Sequence, residues 1–196
     1  MKQIAYAGKA AGLGGLEWME GIPGEVGGAL RMNAGAMGAQ TFENVVRVRF
    51  LDDEGNAHEK TPAEMDVHYR HVATLEQNYA VSAIFKGTPA AAEEIERRLD
   101  ESQVKRRTTQ PAAKSAGCIF KNPATIPAGK LVDELGLKNS RVGNARVSEV
   151  HGNFIVNDGG ASATEVLQLI AQIQETARKK RGIELETEVQ IVGEEE

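Results

Sequence analysis

Four stretches of this 196-residue sequence hold residue types that could bind a ligand or move a proton. The first is the glycine-rich segment GIPGEVGGA, residues 21–29, whose bare backbone would let a flat ligand or another segment approach closely. It is not a phosphate-binding P-loop, because no Gly-Lys-Ser/Thr sequence follows it. The alternative explanation is a tightly packed turn without a ligand.

The second stretch is Tyr69-Arg70-His71, and the third is SAGCIFKNP, residues 115–123. Small residues ahead of Cys118 leave its backbone approachable, and Lys121 and Asn122 add a cation and an amide nearby. Each stretch also has a purely structural explanation. Arg70 could be a surface arginine after a turn, and Cys118 could be an inert, buried thiol.

The fourth feature is Glu188, in the segment LETEVQIV, residues 185–192. Alternation predicts a last strand with Leu185, Thr187, Val189 and Ile191 inward and Glu186, Glu188 and Gln190 on the opposite face. A solvated carboxylate is the structural alternative for Glu188. One Cys and four scattered His give no metal-ligand spacing, so the sequence predicts no metal site.

Strands in the first half of the chain must position the first two stretches, residues 21–29 and 69–71. Val46, Val48 and Phe50 alternate with arginines, which predicts a half-buried strand with these three residues inward. A second strand is predicted over 79–85. Because strand-rich sequence gives way to helical sequence near Gly87, we expect a domain boundary there.

Helix signals dominate the sequence after Gly87. Thr88 is expected as the N-cap and Pro89 as the first residue of a helix that buries Ile95 and Leu99. Further along, PAGKLVDELGL predicts a short helix ending at Gly136. The apolar run 154–156 predicts a buried strand.

The last helix has a signal at each end. Ser162 and Glu165 have the spacing of a capping box, and Arg178–Arg181 followed by Gly182 is typical of a helix C-terminus. Val166, Ile170, Ile173 and Ala177 recur at helical spacing and are expected to face the core. The basic cluster is therefore interpreted as a helix end and not as a nucleic-acid patch.

Composition excludes several function classes. Apolar residues make up 41%, charged residues 26%, and the net charge is −5 with a pI near 5.5. Proteins that bind nucleic acid usually carry an excess of basic residues, and this sequence carries an excess of acidic ones. No apolar run approaches the ~20 residues that span a bilayer, and the N-terminus is not a signal peptide. With its single Cys, the protein is expected in the cytoplasm, with neither nucleic acid nor membrane as a partner.

Taken together, the motifs resemble one family, and the resemblance covers essentially the whole chain. The family is UDP-N-acetylenolpyruvoylglucosamine reductase, also called UDP-N-acetylmuramate dehydrogenase or MurB. The blocks that carry the resemblance, in order, are GIPGEVGGALRMNAGAMG, YRH, SAGCIFKNP, AGKLVDELGLK, VSEVHGNFIVN and LETEVQIVG.

The resemblance implies an α+β fold. Residues 1–87 would be the C-terminal part of an FAD-binding domain of the PCMH/VAO type, and residues 88–196 a compact α/β substrate-binding domain. Family members carry an earlier segment with a GGGSN-type loop for the FAD pyrophosphate. This chain starts after it, so an upstream segment of the flavin domain is an expected partner.

The resemblance also implies the reaction and its residues. NADPH would reduce FAD, and the enzyme would convert UDP-N-acetylglucosamine enolpyruvate to UDP-N-acetylmuramate for peptidoglycan. The implied cofactor-binding residues are Gly21, Ile22, Pro23, Gly24, Gly27 and Gly28. The implied catalytic residues are Arg70, Cys118 and Glu188. The implied substrate-binding residues are Tyr69, Lys121, Asn122 and His151.

The chemistry of this reaction suits these residue types. Hydride addition to the vinyl carbon leaves an enolate-like species whose carboxylate needs a cation, and Arg70 can supply one. The neighbouring carbon needs a proton. A thiol with a reference pKa near ~8.5 is mostly protonated at neutral pH, so Cys118 can donate it. Glu188 would orient this transfer, or donate the proton itself if burial raised its pKa.

Two positions depart from the family pattern. Glu25 stands where a small hydroxyl residue is usual, and Gln190 stands where some members have Arg. A flavin-free remnant that binds a UDP-sugar or is inactive is therefore a second hypothesis. Another flavin oxidoreductase of the same superfamily is a third, although it would leave SAGCIFKNP and LETEV unexplained. FAD absorbance in the purified protein would separate the first two.

Overall fold

The computed structural model describes residues 1–193, and the chain divides into two compact units, Met1–Arg106 and Arg107–Glu196. Each unit combines helices with antiparallel strands, and this confirms the predicted α+β class.

The first unit holds four helices and nine short strands in the part of the chain described. The helices are α1 (Lys2–Ala10), α2 (Val26–Arg31), α3 (Thr41–Asn44) and α4 (Ala92–Thr109), the last three residues of α4 being counted in the second unit. The strands are β1 (Leu13–Gly14), β2 (Gly35–Ala36), β3 (Ala39–Gln40), β4 (Val45–Leu51), β5 (Ala57–Lys60), β6 (Val67–His68), β7 (His71–Val72), β8 (Tyr79–Phe85) and β9 (Thr88–Pro89).

The main sheet of this unit has the order β5-β4-β8, and the pairs β1-β9, β2-β3 and β6-β7 are separate ladders. Val48, Phe50 and Val72 are buried in one core cluster beside the sheet. Val46 was predicted to face inward but is 38% exposed, and Val45 is buried in its place. The register of β4 against β8 shifts between Val45 and Arg47, and this bulge turns Val46 outward.

The helix after Gly87 begins later than predicted. Thr88 and Pro89 are not its N-cap and first residue, because they form β9 and pair with Gly14 and Leu13. The N–H of Ala90 also donates to the carbonyl of Gly12 at 3.0 Å. This pairing holds the chain extended, so α4 starts only at Ala92.

The contact boundary lies after Arg106 and not at the predicted Gly87. As predicted, Ile95 and Leu99 of α4 are buried. They belong to the core cluster that also contains Ala5 of α1 and Met19, and this packing makes α4 part of the first unit.

The second unit contains two helices and a four-stranded sheet within the described residues. The helices are α5 (Ala128–Glu134) and α6 (Ala163–Arg181), and the strands are β10 (Ser115–Cys118), β11 (Arg141–Val142), β12 (Ala145–Val147) and β13 (Phe154–Asn157). The antiparallel sheet has the order β10-β13-β12-β11. Its core includes Leu131 of α5, Val147 of β12, Ile155 of β13 and Ile173 of α6.

Both predicted ends of α6 are confirmed. The Ser162 hydroxyl accepts the N–H of Glu165 at 3.2 Å, and the Glu165 carboxylate accepts the N–H of Ser162 at 2.9 Å. Gly182 ends the helix with a left-handed φ of 62°, a conformation that glycine adopts without a steric penalty. Ile170, Ile173 and Ala177 are buried as expected, and Val166 packs against the same core.

The predicted last strand is wrong beyond one bridge, between Thr187 and Phe120. After Thr187 the N–H groups of Glu188 and Val189 both point to the carbonyl of Ile119, at 2.7 and 3.4 Å. This shared acceptor turns the chain and ends the ladder. Leu185 is buried as expected, whereas Ile191 is 66% exposed and not inward.

Candidate active site

Arg70 lies in the tight turn of the hairpin formed by β6 and β7, where His68 pairs with His71. Its backbone φ of 55° is left-handed, which is uncommon for a residue with a side chain. The guanidinium lies 4.8 Å from the centre of the Tyr69 ring. It also donates to the carbonyl of Asn33 at 3.3 Å and of Gly35 at 3.4 Å. The turn therefore holds a cation in a defined direction, as recognition of a carboxylate requires.

Asn33 is buried, and it was not identified by sequence reasoning as a site residue. Its side chain accepts the N–H of Phe42 at 3.1 Å and donates to Gln40 and to the carbonyl of His68, both at 3.0 Å. These partners lie up to 35 residues away in sequence, so no local pattern reveals them. An Asn inside a glycine-rich segment was the one available signal, because Asn tolerates left-handed backbone.

The glycine-rich segment lines two different clefts of the first unit. Gly21, Ile22, Pro23 and Gly24 line a cleft of about 550 Å³, together with Lys2, Glu20 and Arg106. A Cβ at Gly21 would lie 2.9 Å from Cδ of Arg106, so the side chain of this arginine packs directly against the Gly21 backbone.

Gly27 and Gly28 face a second cleft, of about 420 Å³, which Arg31 and Tyr79 also line. A Cβ at either glycine would meet no atom within 4 Å. Both therefore expose bare backbone to open space, where a flat ring could lie directly against them. Glu25, the departure from the family pattern, is the exposed N-cap of α2.

Cys118, Asn122 and His151 line a single cleft of the second unit, about 340 Å³ in volume. Cys118 ends β10 and is half-buried opposite Phe154. The Asn122 side-chain oxygen accepts the N–H of Ala128 at 3.0 Å, which fixes Asn122 to the start of α5. The sheet and the helix thus bring a thiol, an amide and an imidazole to the same opening.

His151 is held in a defined tautomer. Its Nδ1 accepts the N–H of Asn153 at 3.1 Å, so in the neutral ring the proton is on Nε2. Burial and, to a lesser extent, the charge of Lys138 lower the pKa of His151 below its ordinary value. Gly129 makes room for the ring, because a Cβ there would lie 2.7 Å from Cε1 of His151. A neutral Nε2–H donor can therefore serve a ligand in this cleft.

Two lysines add positive charge to the lining of this cleft. Lys138 pairs with Asp133 at 2.8 Å, and Lys130 lies 3.8 Å from Glu134. All except Glu134 line the cleft. Both pairs are at the surface, where such contacts are weak and can yield to a ligand phosphate.

Asn153 was also missed by sequence reasoning, although it contacts the segment after Cys118. It is 3% exposed, and its carbonyl accepts the N–H of Ile119 at 2.9 Å. Its side chain bonds both backbone groups of Phe120. Asn153 therefore fixes the backbone next to Cys118, whose thiol lines the cleft.

The remaining predicted residues are not among the lining residues of this cleft. Glu188 is half-buried, and its N–H bonds the carbonyl of Ile119, the residue after Cys118. Lys121 is paired with Glu186 at 2.5 Å. Tyr69 and Arg70 belong to the other unit.

Within residues 1–193, no group of three or more His, Cys, Asp or Glu side chains could hold a metal ion. In the same residues, no helix is long and apolar enough to cross a membrane.

Comparisons with known proteins give a consistent result. The family model "UDP-N-acetylenolpyruvoylglucosamine reductase, C-terminal domain" matches residues 110–192. Relatives named UDP-N-acetylenolpyruvoylglucosamine reductase include one from Syntrophomonas wolfei, 42% identical over 197 residues, which cover 100% of this chain and 66% of the relative. Another, from Parvibaculum lavamentivorans, is 39% identical over 191 residues, 97% of this chain and 62% of the relative.

The fold is similar to a solved structure as well. The crystal structure of UDP-N-acetylenolpyruvylglucosamine reductase from Thermus caldophilus matches with a TM-score of 0.86 and 39% identity. The match covers 96% of this chain and 68% of that one. The chain thus spans 62–66% of the length of the curated relatives it matches.

Proposed function

The chain belongs to the UDP-N-acetylenolpyruvoylglucosamine reductase family, and we propose that it takes part in the NADPH- and FAD-dependent reduction of UDP-N-acetylglucosamine enolpyruvate to UDP-N-acetylmuramate. The observation that carries this proposal is the single cleft lined by Cys118, Asn122 and His151. Cys118 and Asn122 come from the stretch 115–123, and His151 comes from the loop before β13. The reaction belongs to peptidoglycan precursor synthesis, and a single-Cys protein suits the cytoplasm as its place.

Cys118 is proposed as the proton donor. In its protonated form the thiol can give its proton to the carbon next to the substrate carboxylate. Asn153 fixes the backbone of Ile119 and Phe120, the two residues after Cys118. The thiol therefore lies at a rigid strand end. Glu188 is proposed to orient the transfer, because its backbone is bonded beside Cys118 at Ile119.

Arg70 is proposed to bind the carboxylate on which negative charge develops. Two backbone carbonyls and the face of Tyr69 fix the direction of its guanidinium. A preorganised cation stabilises developing charge without having to reorient during the reaction. Tyr69 belongs to the same turn and is proposed to contact the substrate beside Arg70.

Asn122, His151 and Lys121 are proposed to bind the rest of the substrate. His151 offers a neutral Nε2–H, and Lys130 and Lys138 line its cleft in surface ion pairs that a ligand phosphate could replace. Such a cleft suits a nucleotide diphosphate, which carries negative charge and many acceptor oxygens. Lys121 would have to exchange its bond with Glu186 for the substrate.

The exposed backbone of Gly27 and Gly28 fits the flat ring of FAD, and Gly24 with Ile22 and Pro23 lies in the preceding loop. When bound, the flavin supplies the hydride that the vinyl carbon receives. Gly21 is proposed to belong to the same loop of the cofactor site.

Titration of the purified chain with FAD, followed by flavin fluorescence, tests the proposal. We expect saturable binding, bleaching of the flavin by NADPH without oxygen, and recovery of its absorbance on addition of the substrate. Substrate binding without flavin binding would support the flavin-free remnant instead. Binding of neither would contradict the proposal and support an inactive remnant.

A further inference from the structure

Asn33 occupies a position that links the glycine-rich segment to Arg70. It lies two residues after the end of α2, and the N-terminal half of α2 contains Gly27 and Gly28. Its N–H donates to the carbonyl of Leu30 at 3.1 Å, which ends the helix. Its φ of 40° turns the chain toward the segment that contacts Arg70.

Asn33 makes one hydrogen bond to Arg70 and another to the strand that leads into its turn. Its side-chain nitrogen donates to the carbonyl of His68, the residue before the Tyr69-Arg70 turn, at 3.0 Å. Its own carbonyl accepts the Arg70 guanidinium at 3.3 Å. One residue thus fixes both the backbone that carries the arginine and the direction of its charged end.

Gly35 completes this arrangement. Its carbonyl accepts the second guanidinium nitrogen of Arg70 at 3.4 Å. A Cβ at Gly35 would lie 2.5 Å from the carbonyl oxygen of Ala39 and 3.3 Å from Nη1 of Arg70. A side chain at residue 35 would therefore clash with the Ala39 carbonyl and crowd the guanidinium.

We propose that Asn33 is the positioning residue of Arg70. The inference rests on the proposed function only for the role of Arg70, and the geometry of the turn stands without it. Asn33 acts through the carbonyl of His68 and the 33–35 backbone, and α2 connects this support to the exposed glycines.

Only asparagine meets all the requirements of this position. The left-handed backbone disfavours alanine. Glycine adopts the conformation but removes the bonds to Gln40, Phe42 and His68. Aspartate keeps an acceptor for Phe42 but has no donor for His68, and it would place a carboxylate against that carbonyl oxygen.

Nitrogen-15 NMR of the Arg70 side chain tests the proposal in the full chain, without flavin or substrate. The Nη–H signals of Arg70, the groups that bond the carbonyls of Asn33 and Gly35, are assigned by their disappearance in the Arg70→Lys variant. Asn33→Gly keeps the backbone carbonyl but loses the side-chain bond that holds the carbonyl of His68. We expect exchange of the Nη protons with water to accelerate roughly three- to tenfold, the effect of losing about one net hydrogen bond. Backbone amides of buried Val48 and Val72 should keep their exchange rates.

Asn139→Gly is the matched control. Asn139 also has a left-handed φ, of 64°, and its side chain also contacts an arginine, Arg146, at 3.2 Å. It lies in the second unit, so the Arg70 signal should not change.

Unchanged Arg70 exchange in folded Asn33→Gly would overturn the proposal. So would equal acceleration at Arg70, Val48 and Val72, because Asn33 would then support the unit as a whole. If Asn33→Gly does not fold, Asn33→Asp decides by the same two comparisons. The NMR experiment uses no substrate. Failure of the proposed enzymatic function would therefore not change its result.

Discussion

Asn153 holds the backbone of Phe120 from both sides. Its Oδ1 accepts the Phe120 N–H at 2.9 Å, and its Nδ2 donates to the Phe120 carbonyl at 2.8 Å. Both residues are almost fully buried. The pair replaces a strand ladder where β10 ends, and it sets the path of the chain two residues after Cys118.

Asn153→Ala should therefore destabilise the protein by about 2–4 kcal/mol, because two buried backbone groups lose their partners. Urea unfolding measured by circular dichroism gives this value. The control is Asn144→Ala, at an exposed position, which should change the free energy of unfolding by less than about 0.5 kcal/mol. Equal effects at the two positions would show that the Asn153 bonds do not matter.

Local signals in the sequence predicted most helices and buried faces correctly. They did not predict the residues whose hydrogen bonds hold the site residues in place. The capping box of α6 and the inward faces of Ile95 and Leu99 depend on residues a few positions apart, and all are confirmed. Asn33 and Asn153 act on partners up to 35 and 33 residues away. Such bonds exist only once the fold has formed, so spacing alone cannot show them.

Tertiary pairing also explains the elements that were mispredicted. Pro89 has the local signature of a first helical residue, but pairing with Leu13 holds it in a strand. The alternation of LETEVQIV indicates a strand, but the shared acceptor at Ile119 bends the chain after Thr187. The bulge beside Val46 likewise depends on the partner strand β8.

Gly28→Ala should change stability and flavin binding in opposite directions. Gly28 lies in α2 with no atom near a new Cβ, so alanine should stabilise the protein by about 0.5–1 kcal/mol. The same methyl group would project into the proposed flavin cleft and weaken FAD binding. Thermal unfolding and flavin fluorescence measure the two effects. If Gly28→Ala were more stable and still bound FAD as tightly as the wild type, Gly28 would not be part of the cofactor site.

His151 should make stability depend on pH. Because its pKa is lowered in the folded protein, the unfolded chain binds its proton more readily. The contribution of the neutral ring is therefore fully present above the unfolded pKa, near ~6.5, and is lost as pH falls from there through the folded pKa.

The comparison of wild type with His151→Gln isolates this contribution. The free energy of unfolding of the wild type should fall more steeply between pH 7.5 and pH 5 than that of the variant. Urea titrations across this range measure both slopes. Parallel slopes would show that His151 titrates alike in the folded and unfolded chains.

Cys118→Ser and Cys118→Ala should differ in turnover. A hydroxyl at this position can still deliver a proton, so Ser should keep partial activity. Ala should slow substrate-driven flavin reoxidation by ~10² to 10⁴, the usual contribution of general acid catalysis. Flavin reduction by NADPH should survive in both variants. Stopped-flow absorbance separates the two half-reactions. If the flavin of Cys118→Ala were reoxidised at the wild-type rate, Cys118 would serve only in packing.

Calorimetric titration of the chain with UDP-N-acetylglucosamine enolpyruvate tests most directly whether the cleft of Cys118, Asn122 and His151 binds the substrate. We predict saturable binding that His151→Ala weakens by roughly 10- to 100-fold, the loss of one hydrogen bond to a charged group. His58→Ala, at an exposed histidine of the first unit, should leave the affinity unchanged. Absence of binding, or equal affinity in His151→Ala and the wild type, would contradict the assignment of this cleft to the substrate.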